Sequence, residues 1–200
     1  MLVALALLLI TSVEPLTQAV ILLSVMLIYQ SVSKIPAPIE QSRSFYGVLS
    51  VYPTADRRFH LLAHGTTKHG SQMMKDANGL RLTDNPEPQS YYYAGGPFGS
   101  LIRHLREGGN ALEGVAVVGL GTGAMLCHAL PGEGWTFYEI DPEVMRIAAD
   151  PQYFTYLRDC GPSTVVIGDG RLKLREEKAE AFDLIVLDAF SSDSVPAHLL

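Results

Sequence analysis

The chain has 200 residues, of which 48% are hydrophobic, and its formal net charge at pH 7 is -6. This length is enough for one domain with an appendage. The negative charge argues against a nucleic-acid partner, because a surface that binds nucleic acid is basic.

The first 33 residues differ in kind from the rest of the chain. They contain no lysine or arginine, and Glu14 is their only charged residue. The apolar stretches Leu2–Ile10 and Leu16–Tyr29 lie on either side of it, and a membrane-spanning helix needs about 20 apolar residues. One helix kinked at Pro15 and the tail of one span joined to another both fit this pattern; a buried core helix is the alternative.

We expect residues 1–33 to be a transmembrane segment that anchors the protein to a membrane. A cleaved signal peptide fits poorly, since the basic region at its start is missing. The positive charges that follow, beginning with Lys34, predict that the next domain faces the cytoplasm, by the positive-inside tendency.

Three further regions are predicted after this segment. Residues 34–43 contain two prolines and are predicted to be an extended linker. Phe45–Tyr52 and Phe59–Ala63 are predicted strands of a small β-subdomain over residues 44–90. A larger catalytic domain is predicted over residues 91–200.

The most informative stretch begins with the apolar run Val115–Val118, which is typical of a buried parallel strand. Gly119, Gly121 and Gly123 follow at once. Glycines permit a sharp turn and a close approach of backbone N–H groups to a ligand, and a helix starting near Ala124 would direct its N-terminus at that ligand. The pattern predicts a nucleotide-binding loop.

Trp135–Ile140 is the second predicted strand, and Glu139 lies near its end, 20 residues after Gly119. At this spacing an acidic side chain reaches the ribose hydroxyls of a nucleotide held at the glycine turn. The loop does not choose between NAD and S-adenosyl ligands, because the alanine at position 124 is permitted in the dinucleotide fingerprint.

Two more predicted strands, Ser163–Ile167 and Phe182–Leu187, are followed by Asp169 and Asp188. Ligands of open α/β sheets bind outside the carboxyl ends of the strands, so these acids are expected to face one crevice. A cap of the local turn is the alternative role for Asp169. The fold class predicted is α/β, with a Rossmann-like sheet preceded by the β-subdomain and the N-terminal hydrophobic helical segment.

Cys127 and Cys160 are too few for a disulfide framework, and we expect them to be reduced, buried thiols. No Cys/His spacing typical of zinc occurs, so no metal site is predicted. The chain ends shortly after the fourth predicted strand of the larger domain, whereas a doubly wound sheet normally continues. We therefore expect a fragment at both ends.

Several motifs together resemble the polyamine aminopropyltransferases, or spermidine synthases, and most closely their bacterial subgroup fused to a membrane segment. They are RSFYGVLSV, HGTTKHGSQ, GLGTG, FYEIDP, GDGR and LDAFSSDSVPAHLL, and the resemblance covers roughly residues 42–200. It implies a Rossmann-like domain of the S-adenosylmethionine-dependent methyltransferase type, with no permanently bound cofactor. The resemblance is also compatible with a homodimer.

The resemblance implies transfer of an aminopropyl group from decarboxylated S-adenosylmethionine, the co-substrate, to putrescine or a related polyamine, with release of methylthioadenosine. By position, Glu139 resembles the family's ribose-binding acid and Asp169 the residue at the adenine amino group. Asp188 resembles the catalytic acid.

The other matched positions lie around the same predicted site. Gln72 matches the glutamine that closes the conserved turn of the family's β-domain, and we assign it to donor binding with the three loop glycines. Tyr92 and Asp193 match the acceptor side. Packing of the domain interface is the alternative for Tyr92, and a helix N-cap is the alternative for Asp193.

Two departures from the family's pattern keep other functions open. The family's loop usually reads GGGDGG, and its aspartate holds the donor's amine, whereas Thr122 stands here. Gly47 follows Tyr46 where the family has a glutamine. Ordinary S-adenosylmethionine is therefore an alternative co-substrate, and a small-molecule methyltransferase and a non-catalytic polyamine or nucleotide sensor on a membrane protein are the alternative functions.

Overall fold

The computed structural model describes residues 14–32, 36–82, 85–107 and 112–189. The chain divides between residues 35 and 36 into two compact units. Each unit is described by itself.

The first unit contains helix α1, Pro15–Val32. Its 18 residues rise only about 27 Å at 1.5 Å per residue, and Gln18 and Ser24 interrupt the apolar sequence. Within the described residues, no helix is both long and apolar enough to cross a membrane. This contradicts the predicted membrane localisation with a cytoplasm-facing domain, and that prediction is wrong. Residues 1–13 and 33 of the predicted segment lie outside the described residues.

The second unit begins with a four-stranded antiparallel sheet in the order β1-β2-β3-β4. The strands are β1 (Glu40–Ser44), β2 (Gly47–Pro53), β3 (Phe59–His64) and β4 (Thr67–Met73). The two predicted strands correspond to β2 and β3. The edge strands β1 and β4 are polar in sequence and lack apolar alternation, so only their pairing with β2 and β3 identifies them. Strand β1 also occupies residues that the sequence predicted as linker.

A second sheet is parallel throughout and has the order β7-β6-β5-β8. Its strands are β5 (Gly114–Val118), β6 (Gly134–Glu139), β7 (Thr164–Ile167) and β8 (Leu184–Leu187). The α-helices of this part are α2 (Pro97–Glu107), α3 (Pro142–Ala149), α4 (Tyr156–Asp159) and α5 (Gly170–Leu174). A mixed α/β fold with a parallel sheet agrees with the Rossmann-like prediction, and each strand lies within two residues of its predicted bounds.

The hydrophobic core joins the sheets to the helices. One cluster packs Ile102 of α2 against Val117, Trp135 and Phe137 of the parallel sheet. A second cluster packs Leu49, Val51 and Leu62 of the antiparallel sheet against Ile147 of α3 and Phe154. Burial of each such side chain contributes about 1.5–3 kcal/mol, so the antiparallel sheet is attached to the Rossmann-like part by a shared apolar core.

The segment after the glycine loop is a short 3-10 helix, Ala124–His128, rather than the expected α-helix. Only seven residues separate Gly123 from Pro131, and a residue before proline is disfavoured in the α conformation. The expectation of free thiols is also wrong, because Cys127 and Cys160 form a disulfide with their Cα atoms 4.6 Å apart. Cys160 follows α4 directly, and the packing of α4 beside the 3-10 helix brings the two sulfur atoms together.

Candidate active site

Asp188 is held at the end of β8 by the backbone of the parallel sheet. Its N–H donates to the Val118 carbonyl oxygen at 2.8 Å, which continues the pairing of β8 with β5. A Cβ atom on Gly119 would lie 2.7 Å from the Asp188 carbonyl oxygen, and Gly119 has a φ of +101°. The glycine loop and Asp188 are therefore in direct backbone contact, which is what the strand-end argument predicted.

The Asp188 carboxylate accepts a hydrogen bond from the Tyr92 hydroxyl. Burial raises the pKa of Asp188 to about 6, and the Tyr92 hydrogen bond opposes this rise. Burial and the nearby Asp188 charge raise the pKa of Tyr92, so its hydroxyl remains a protonated donor at neutral pH. Asp188 therefore gains or loses its proton close to neutral pH, beside a Tyr92 hydroxyl that stays protonated. This arrangement suits acid–base chemistry.

Glu139 lies at the end of β6 and is only 7% exposed. Its two carboxylate oxygens accept the backbone N–H groups of Leu120, in the glycine loop, and of Asp141, each at 2.9 Å. Burial raises the pKa of Glu139, although both backbone hydrogen bonds favour the ionised form. The structure thus brings together the predicted ribose acid, the glycine loop and Asp188.

Strand β4 packs against the glycine loop. A Cβ atom on Gly121 would lie 2.8 Å from the His69 carbonyl oxygen, and one on Gly70 would lie 2.6 Å from the Thr122 hydroxyl oxygen. Thr122 is only 2% exposed. The position at which this chain departs from the family's aspartate is therefore buried against a glycine of the antiparallel sheet.

Two predicted site residues have other surroundings, and a third is not described. The carboxylate of Asp169 accepts the Leu172 N–H at 3.1 Å and caps α5, as in its alternative role. The Gln72 amide group donates to the Thr155 hydroxyl at 2.6 Å and accepts the Thr155 N–H at 2.7 Å. Asp193 lies outside the described residues. The ligand-binding roles of all three remain predictions.

His128 is a member of this site that the sequence did not indicate. It ends the 3-10 helix after the glycine loop, and its Nε2–H donates to the Tyr92 carbonyl oxygen at 2.6 Å. In the sequence, only its position five residues after Gly123 connects it with the site. That position does not show that Tyr92 is its partner.

A comparison with known proteins finds a relative of this chain. The chain is similar to a polyamine aminopropyltransferase of Vibrio vulnificus (strain CMCP6), with 33% identity over 93 residues. The match covers 44% of this chain and 30% of the relative, so the chain spans less than a third of that protein's length. No family model matches. The similarity supports a transferase in general terms and leaves the reaction and substrate to be proposed.

Proposed function

We propose that this chain carries donor-binding and catalytic residues of an aminopropyltransferase. The enzyme would move the aminopropyl group of decarboxylated S-adenosylmethionine to putrescine or a related polyamine and release methylthioadenosine. The observation that carries the proposal is the partly buried, hydrogen-bonded Tyr92–Asp188 pair, whose Asp188 backbone contacts the glycine loop. The similarity to a named polyamine aminopropyltransferase supports it.

The proposed chemistry begins with an acceptor amine, whose pKa of roughly 10.4 keeps it protonated at pH 7. Asp188, whose pKa is about 6, is mostly ionised at that pH and attracts the cation. The amine loses a proton to the carboxylate, and its lone pair attacks the aminopropyl carbon bonded to sulfur. The carbon–sulfur bond breaks with its electrons going to sulfur, so the sulfonium becomes a neutral thioether and needs no acid to leave.

The other residues of the site are proposed to position the donor. Glu139 would accept hydrogen bonds from the ribose hydroxyls, because each carboxylate oxygen keeps a lone pair beyond its bond to a backbone N–H. Asp169 would contact the adenine amino group, and Gln72 would support the donor side. Asp193 would orient the acceptor, together with Tyr92. Positioning of amine, carbon and sulfur in line supplies much of the rate.

The first experiment is calorimetric binding on the natural full-length protein. Decarboxylated S-adenosylmethionine, S-adenosylmethionine and methylthioadenosine are titrated separately, and putrescine is then added and spermidine measured by mass spectrometry. We expect preference for the decarboxylated donor and formation of spermidine. Preference for S-adenosylmethionine would indicate a methyltransferase, and tight binding without product would indicate a sensor; either result contradicts the proposal.

A further inference from the structure

Tyr92, which holds the carboxylate of Asp188, has little local structure of its own. It ends the three-residue 3-10 helix Ser90–Tyr92, and Ser90 has the unfavourable φ of +60°. The Tyr92 N–H bond to the Gln89 carbonyl oxygen is long, at 3.3 Å. Contacts from elsewhere in the fold must therefore set the direction of the Tyr92 side chain.

His128 supplies one of these contacts. Its Nε2 lies 2.6 Å from the Tyr92 carbonyl oxygen, and since a carbonyl oxygen only accepts, the ring carries its proton on Nε2. Burial lowers the pKa of His128, so the imidazole is neutral at pH 7. Because the protonated ring also carries an Nε2–H, this hydrogen bond survives at either charge state of the ring.

Aromatic packing reinforces the same contact. The ring of Phe98 meets the His128 ring edge to face at a centroid distance of 5.1 Å and meets the Tyr92 ring in the same way at 5.8 Å. Edge-to-face contacts between aromatic rings are favourable beyond their burial. Phe98 therefore lies between the two side chains and fixes their relative orientation.

His128 is itself anchored from its backbone side. The Arg106 guanidinium donates to the His128 carbonyl oxygen at 2.8 Å and forms an ion pair with Glu133 at 2.6 Å. The Glu133 side chain is only 9% exposed, so this ion pair is largely shielded from solvent. A continuous set of contacts thus runs from Glu133 through Arg106 and His128 to Tyr92, whose hydroxyl reaches Asp188.

We propose that His128 is a positioning residue that holds Tyr92 so that its hydroxyl stays on the Asp188 carboxylate. The inference rests on the proposed function in assigning Asp188 as the base. The Tyr92 hydroxyl lowers the pKa of Asp188 against the effect of burial, so a displaced Tyr92 raises that pKa. Among the described residues, the charged and titratable groups that act electrostatically on His128 and Tyr92 are Arg106, Tyr91 and Asp188 itself.

The test compares two substitutions of His128 that differ in one property. His128→Phe keeps a ring against Phe98 but has no donor, whereas His128→Gln places an amide N–H near the position of Nε2. In the aminopropyl transfer assay, we expect kcat/KM of the phenylalanine variant to fall about tenfold, the size of a lost hydrogen bond of roughly 1.4 kcal/mol. The glutamine variant keeps most of the activity. His104→Gln changes an exposed histidine of α2 and serves as the control with unchanged activity.

The pH profile separates positioning from a merely structural role. We expect the acid limb of kcat/KM to lie near pH 6 in the unchanged protein, since the pKa of Asp188 is about 6. It should move to higher pH in His128→Phe and stay in place in His128→Gln. If His128→Phe does not fold, His128→Asn makes the same comparison with glutamine, because its shorter amide does not reach the Tyr92 carbonyl. Equal losses in the donor and non-donor variants, or an acid limb that does not move, overturn the proposal.

A direct measurement keeps this inference separate from the proposed function. The pKa of Asp188 is followed by carboxyl carbon NMR in the unchanged protein and in both His128 variants. An upward shift in His128→Phe alone supports the positioning role even if no aminopropyl transfer is found. An unchanged pKa contradicts the role even if transfer is found.

Discussion

Asp188 is under two opposing influences. Burial raises its pKa from 3.8 to about 6, and the hydrogen bond from Tyr92 acts in the other direction. A carboxyl group whose pKa is higher in the folded than in the unfolded state favours folding in its protonated form. Its contribution is present below pH 3.8 and is lost as the pH rises through about 6. The ionised form that suits the proposed base therefore lowers the stability of the fold.

The substitution Asp188→Asn tests both the role of Asp188 as a base and its effect on the stability of the fold. Turnover should fall by at least about 10²-fold, as for the loss of a positioned base, while methylthioadenosine still binds. At pH 7 the variant should be more stable than the unchanged protein, and between pH 4 and pH 7 this difference should grow by about 2 kcal/mol. Urea unfolding at both pH values and calorimetric binding measure these effects. Unchanged turnover would refute the role of Asp188.

The glycine loop and β4 approach each other closely because glycines lie at their contact. Gly121 has a φ of +54°, and an added Cβ atom would lie 2.8 Å from the backbone of His69. Gly65, in the turn between β3 and β4, has a similar φ of +59° and nothing within 4 Å of that position. The two glycines share the same backbone strain and differ only in the contact.

This pair gives a matched test of the contact. Gly65→Ala should lower the free energy of unfolding by about 1–2 kcal/mol, the cost of a side chain in the left-handed conformation. Gly121→Ala should cost a further 1–3 kcal/mol or so, because β4 and the loop must separate, and it should weaken methylthioadenosine binding. Chemical denaturation and calorimetry measure both. Equal losses of stability in the two variants would mean that β4 does not restrain the loop.

The disulfide joins the 3-10 helix after the loop to the end of α4 and closes a separation of 33 residues. Reduction should lower the free energy of unfolding by roughly 3.7 kcal/mol, mainly through the entropy of the unfolded chain. Unfolding with and without a thiol reductant measures the effect, and the double variant Cys127→Ala/Cys160→Ala is the control that should not respond to reductant. Two alkylatable thiols in the untreated, unfolded protein would contradict the bond.

At the scale of the whole second unit, the antiparallel sheet and the Rossmann-like part share a buried polar contact as well as an apolar core. Gln72 and Thr155 are 3% and 5% exposed, and they form two hydrogen bonds with each other. Ser44 of β1 also donates to the Asp141 carboxylate at the start of α3. The first contact fixes β4, which packs against the glycine loop, at the start of α4, and the second fixes β1 at the start of α3.

Gln72→Leu should therefore weaken the attachment of the antiparallel sheet to the Rossmann-like part. It leaves the Thr155 N–H buried without a partner and removes the hydrogen bond to the Thr155 hydroxyl. The two losses together should cost about 2–4 kcal/mol of unfolding free energy. Trp135 is the single tryptophan, and its fluorescence reports on the parallel sheet, while circular dichroism reports on both. The control is Gln41→Leu, which removes a hydrogen bond of an exposed side chain within one sheet. A stability loss no larger than that of the control would show that the attachment of the antiparallel sheet does not depend on Gln72.

Local spacing along the chain predicted the parallel sheet and part of the site. The apolar run before Gly119 and the 20 residues to Glu139 were visible because a strand, a turn and the next strand are successive in sequence. Asp188 was predicted for the same reason, since the carboxyl ends of parallel strands meet at one edge. The polar edge strands β1 and β4 were not predicted, because their pairing depends on neighbours rather than on their own composition.

By itself, the sequence determined the α/β class and the succession of a glycine loop and three strand-end acids. Only the tertiary structure decided which distant residues meet. Tyr92 and Asp188 are 96 residues apart, Gln72 and Thr155 are 83 apart, and Cys127 and Cys160 are 33 apart. Hydrophobic periodicity specifies which face of an element is buried, but partners across the fold depend on how the elements pack. For that reason only the tertiary structure identifies the hydrogen bond from His128 to Tyr92.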